Sequence, residues 1–177
     1  MYTYFAATLP LLDFDGPLPF LTGDFAADCG RLLPEHDAQE VRRALDMEGG
    51  APASRFLASW REHEQALRIE SAQARAARLR LTPPKGGWDR AHDSRINAAV
   101  ARAAGMDDPL EAERLLIGLQ WRILDDLCLG REFALDGILA YAVKLKLLER
   151  LNAFKSEDGV KELKALLETA VHSQHGI

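Results

Sequence analysis

The stretch FALDGILAYAVKLKLLERL, residues 133–151, constrains the fold more than any other part of the chain. Leu135, Ile138, Leu139, Ala142, Leu145 and Leu148 recur at helical spacing, and Asp136 and Lys144 mark only a narrow polar stripe. The alternation in VKLKL at 143–147 covers too few residues to outweigh that period. So wide an apolar face exceeds what a surface helix needs, which makes the helix over 135–151 central and contacted from two sides. The remainder of the chain must supply the elements that cover it.

Most of it reads as further helix. Thr22 is placed to cap a short helix ending near Leu33, with Pro34 as its stop. Asp37 and Glu40 in DAQE have the spacing of a capping box for a second helix reaching Gly49, and GGAP at 49–52 is a linker. Between Ser54 and Leu81 there is no Gly or Pro, and Ala, Arg, Glu and Leu dominate. Trp60, Leu67, Ala74 and Leu81 recur every seventh residue there, predicting one helix roughly 40 Å long. TPPKGG at 82–87 breaks the chain, and a helix over 89–104 closes at Gly105. DDPLE is a strong start signal, with Asp108 as cap, Pro109 first in the helix and Glu111 at the third position. That helix runs to about Leu129, and Arg122 and Asp126 on its polar edge are spaced as an i,i+4 pair. Asp136 is placed to cap the 135–151 helix, and Ser156 to cap a final helix to about His172.

Residues 1–20 stand apart. Tyr2, Tyr4 and Ala6 alternate with Thr3, Phe5 and Ala7, and an Asp15-Gly16-Pro17 turn signal follows, so an extended arm packed onto the body is expected. The whole is a single all-α domain over 1–177, a bundle of about six to seven helices with an extended N-terminal arm.

Composition narrows the function. With 47% hydrophobic and 28% charged residues the chain is of the globular rather than the disordered type. A net charge of -5 argues against a general nucleic-acid binder. No apolar run approaches the ~18 residues of a membrane span, and the N-terminus lacks the basic region and cleavage site of a secretory signal. Cys29 and Cys128 are isolated, which fits two partly buried thiols in a reducing cytoplasm.

Catalytic signatures are missing from the sequence. His63-Glu64 is followed by Leu67 where a second zinc ligand would be needed, and no Glu-x-x-His, GxSxG or Walker pattern occurs, Lys85 in PPKGGWD notwithstanding. Neither a catalytic residue nor a cofactor or metal site is therefore assigned. One enzymatic alternative is a metal-dependent hydrolase in which Asp89, His92 and the carboxylates Glu111, Glu113, Asp125 and Asp126 converge. His172 and His175, three apart, read as surface histidines. The asymmetric charge feature is a row of arginines, Arg61, Arg68, Arg75 and Arg78, on the long helix. It is either the solvated flank of a coiled-coil-like helix or a basic strip for an acidic protein partner. A stand-alone regulator acting through that helix is the third possibility.

The start MYTYFAATLPLL and the block DDPLEAERLLIGLQWRILDDLCLGREFALDGILAYAVKLKLLERL carry a resemblance. They resemble a bacterial family of domain-of-unknown-function proteins encoded among V-type ATPase subunits, with its Tyr-rich start ending in Leu-Pro, its Pro-x-Glu-Ala-Glu helix and its LLAY…LK…LERW helix. Leu139-Ala140-Tyr141, Leu145-Lys146 and Leu148-Glu149-Arg150 match the last of these, while Leu151 stands where the family pattern has Trp. Residues 35–105 contribute little. The helix is also similar to AY…K…E helices of the rotary ATPase C (or d) subunit, a larger non-catalytic α-helical protein built from three related bundles and seated between central shaft and rotor ring. The resemblance implies a short, non-catalytic structural or accessory subunit of a V/A-type ATPase, with shaft and ring subunits as partners. It further implies a cytoplasmic location, peripheral to the inner membrane through that complex.

Overall fold

In the computed structural model, residues 2–82 and 93–155 are described. They form seven helices and no strand: α1 (Tyr2–Thr8), α2 (Thr22–Leu32), α3 (Glu35–Ala44), α4 (Arg55–Arg78), α5 (Ser94–Ala104), α6 (Pro109–Cys128) and α7 (Leu135–Lys155). Lys85, Trp88, Asp89, His92, the helix expected from Ser156, His172 and His175 lie outside the described residues.

α7 is the hub. Ile138, Leu139, Ala140, Ala142, Val143, Leu145, Leu147, Leu148 and Leu151 are all buried, and the helix packs against α1, α2, α3, α4 and α6. Nine buried positions within fourteen residues cover more than half the helix circumference, the pattern of an element enclosed by others. Around it, Phe25 and Cys29 of α2, Val41 of α3, Leu57 and Trp60 of α4, and Ile117 and Leu124 of α6 complete one core. Burial, with a smaller contribution from the Asp28 charge, pushes the Cys29 thiol up to about 12, and burial also raises that of Cys128. Both cysteines are free and remain protonated at neutral pH.

Some helix starts follow the local signals. The Ser54 hydroxyl accepts the Leu57 N–H at 3.4 Å, and the Asp108 carboxylate accepts that of Leu110 at 2.8 Å with Pro109 behind it. Asp93 does the same for Arg95 at 2.9 Å, so α5 starts at Ser94 and not at the expected 89. Each satisfies a backbone donor that the first helical turn leaves without an intrahelical partner.

Other expectations are corrected. Residues 2–8 are a helix, not an extended segment. Tyr2, Phe5 and Leu9 share an i, i+3, i+7 spacing that puts them on one helical face, and this competes with the Tyr2/Tyr4/Ala6 alternation. Tertiary contacts decide between the two: Phe5 is buried 6.3 Å from the Phe25 ring, and the Tyr2 hydroxyl donates to Asp37 Oδ2 at 2.6 Å. Tyr4 is left exposed. Residues 9–20 are irregular, and their Phe14 packs edge-on against Trp121 of α6.

Thr22 is the first residue of α2 rather than its cap. The Thr22 N–H is instead taken by Glu149 Oε2 of α7 at 3.2 Å. Nor do Asp37 and Glu40 form a capping box. Pro34 occupies the cap position, α3 begins at Glu35, and both carboxylates turn inward, Asp37 to Tyr2 and Glu40 to the linker before α4. α3 also ends at Ala44, short of Gly49, where Asp46 takes a positive φ of 59°. Asp126 pairs with Arg95 at 2.7 Å instead of Arg122, whose Nε donates to the Gly118 carbonyl. Asp136 lies in the first turn of α7 and pairs with Arg131 at 2.5 Å.

The α6–α7 turn is tight. Gly130 has φ 75°, and a Cβ on Gly137 would run into the Glu132 carbonyl. Backbone cannot give way there as the end of a flexible side chain could. Gly137→Ala is expected to destabilise by about 1–3 kcal/mol, read as a lower urea midpoint at unchanged slope. Gly23→Ala is the control. Apart from its chain neighbours and the backbone of its own helix, no atom lies within 4 Å of the added methyl, so stability should be unchanged or slightly higher.

Candidate protein-docking groove

The arginine row does not act as one strip. An α-helix drifts by ~20° per heptad and by a further ~60° over the three residues from Arg75 to Arg78, so the row turns about 100° around α4. At one end Arg61 folds back, its guanidinium donating to the carbonyls of Gly50 at 2.8 Å and Arg43 at 3.4 Å. It braces the α3–α4 linker. At the other end Arg68, Arg75 and Arg78 are exposed, and none has a carboxylate partner among the described residues.

Arg75 and Arg78 border a groove of about 610 Å³ between α4, the end of α5 and the start of α6. Ala74, Val100, Ala103, Ala112 and Leu116 form its apolar floor, and Asp107 and Glu113 stand on the side away from the arginines. A recess of about 260 Å³ continues along α4, sharing Ser71, Arg75, Glu113 and Leu116 and reaching Leu67, Arg68 and Arg150 of α7. Glu113 is held by Arg150 at 2.7 Å, whereas the arginines of the α4 rim, Glu64 at the far end of that rim and Asp107 after α5 have no ion pair among the described residues. The small residues Ser71, Ala74, Ala103, Gly105 and Ala112 make this a trough. Sequence reading missed the α5–α6 side because Ala103 and Asp107 carry no motif and follow no long period, and Gly105 reads only as a helix stop.

Carboxylates named for the enzymatic alternative do not converge among the described residues. Asp125 pairs with Lys144 at 2.5 Å, Asp126 with Arg95, and Glu113 with Arg150, while Glu111 is exposed. His63 Nδ1 meets the Ser59 carbonyl at 2.8 Å, within its own helix. No group of three His, Cys, Asp or Glu residues is placed to hold a metal ion among the described residues. A cleft of about 420 Å³ beneath residues 9–12 contains Cys128, Tyr141 and Lys144. There the Lys144 ammonium is engaged by Asp125 and lies 4.8 Å over the Trp121 ring. Burial pushes the Tyr141 hydroxyl up to about 12, and the Tyr141 hydroxyl donates to the Pro10 carbonyl at 3.0 Å.

No helix among the described residues is long and apolar enough to cross a membrane. No protein-family profile, curated protein or solved structure matches the chain.

Proposed function

We propose that the chain is a non-catalytic structural or accessory subunit of a bacterial V/A-type rotary ATPase, a short counterpart of the C (d) subunit that links central shaft and rotor ring. One observation carries the reading. The polar residues of the LAY…LK…LER motif each tie α7 to a different part of the bundle. Tyr141 donates to the Pro10 carbonyl, Lys146 pairs with Asp46 after α3, Glu149 accepts the Thr22 N–H that opens α2, and Arg150 pairs with Glu113 of α6. A motif whose every polar group is spent on holding neighbours suits a scaffold better than a reaction centre. It also joins the two sequence blocks that carry the resemblance, since Pro10 belongs to the first and Tyr141 to the second.

The test is affinity purification of the tagged protein from its native host, with mass spectrometry of the co-eluting proteins. Shaft and rotor-ring subunits should be recovered in stable proportion. Recovery of no ATPase subunit, under conditions that keep the ATPase assembled, would overturn the reading.

A further inference from the structure

We propose that the trough between α4, α5 and α6 docks a single amphipathic helix of a protein partner, with a row of Asp and Glu side chains laid along Arg68, Arg75 and Arg78. The inference rests on reading the chain as an interaction subunit, and it names the chemistry of what is held. The trough and its recess follow α4 from Glu64 to Arg78, roughly 21 Å, the length of a helix of about 14 residues. Its floor is apolar and built largely of small side chains, which lets a second helix approach closely and bury a stripe at i, i+3 or i+4, and i+7.

Charge fixes the partner's orientation and excludes other occupants. The α4 rim carries three arginines without carboxylate partners among the described residues, against the single carboxylate of Glu64 at its far end, whereas Asp107 and the Arg150-bound Glu113 stand across the trough. An incoming helix therefore gains from acidic residues on its α4-facing edge and from neutral or basic ones on the other. A nucleic-acid backbone would bring phosphates against Asp107 and Glu113 and leave Ala74, Val100 and Leu116 without an apolar partner. A flat lipid surface does not enter a trough.

The experiment places a photo-crosslinking phenylalanine analogue at Ser71, on the trough wall, in the full chain expressed in its native host. Crosslinked peptides are then sequenced by mass spectrometry, with and without Arg75→Glu and Arg78→Glu. Both arginines are exposed, so circular dichroism and the thermal midpoint of the double variant should match those of the parent. The expected adduct is a segment of another protein with an apolar helical stripe and an acidic edge, and the double variant should reduce its yield roughly tenfold. Four outcomes overturn the inference: no adduct; an adduct to this chain, whether its own residues 156–177 or a second copy; a segment without acidic residues; or an adduct indifferent to the charge reversal. The two proposals fail separately. An acidic amphipathic adduct together with recovery of no ATPase subunit keeps the trough and removes the rotary reading. Co-purification of shaft and ring subunits with no trough adduct does the reverse.

Discussion

Glu40→Ala is expected to cost about 3–5 kcal/mol of unfolding free energy, although Glu40 belongs to no apolar cluster. Its side chain is fully buried, and its carboxylate accepts the Ser54 N–H at 2.8 Å and the Ala53 N–H at 3.1 Å while Arg43 donates at 2.5 Å. These bonds seat the linker that positions Ser54, the cap of α4. Truncation removes the acceptor from two backbone donors and leaves Arg43, whose Nε already lacks a partner among the described residues, without its carboxylate. Because Arg43 is partly exposed, the loss should fall toward the lower end of that range.

The same carboxylate gives a signed pH dependence. Burial alone would raise its pKa, but the Ser54 N–H, the Arg43 guanidinium and the Ala53 N–H outweigh burial and hold it below the ordinary value. A depressed folded pKa contributes stability that is fully present above the unfolded value, about 4.3, and lost as pH falls through the folded value. The stability difference between the parent and Glu40→Gln should therefore be constant above about pH 5 and shrink as the solution is acidified further. Urea unfolding of both proteins across that range measures it. A difference that stays constant down to pH 3 would show that the charge of Glu40 does not support the linker.

How much of this was legible in the sequence depends on whether the deciding interaction is local. Asp108-Pro109 acts on an N–H group two residues away, so its pattern reads directly as a helix start. The breadth of the apolar face around Leu145 likewise required burial on several sides, whatever the partners. Asp37 and Glu40 have the spacing of a local cap but are used over distance, one by Tyr2 and the other by the residues before α4. Spacing does not distinguish a carboxylate that caps its own helix from one that reaches another element. α1 failed for a related reason. Two periods fit its first nine residues, and the positions of Phe25 and Asp37 choose between them. In the arginine row, heptad spacing suggested one line, but the accumulated rotation separates the brace at Arg61 from the rim at Arg75 and Arg78. The trough opposite that rim depends on how α5 meets α6, which the one-dimensional pattern of Ala103 and Ala104 does not encode.

Leu145→Ala should lower the unfolding free energy by about 2–5 kcal/mol, the range for emptying a fully buried leucine site. The upper half is the more relevant, because the surroundings have little freedom to collapse into the space. Leu145 lies in a helix packed against five others, with Leu148 one turn away, so relaxation on one side opens a gap on another. Leu129→Ala, at a position 77% exposed, removes the same atoms and should change stability by less than about 0.5 kcal/mol. The pair separates burial from composition. A Leu145→Ala protein that melts with the parent would remove α7 from the centre of the bundle. The comparison also bears on the proposed function, since a scaffold's partner surfaces exist only while its hub holds them in register. Leu145→Ala should thus reduce co-purification of partners in parallel with its thermal midpoint, and recovery should return at lower temperature. Arg75→Glu with Arg78→Glu should reduce recovery at every temperature while leaving the midpoint unchanged. Loss of partners in both variants with these different temperature dependences distinguishes the element that builds the surface from the residues that meet the partner.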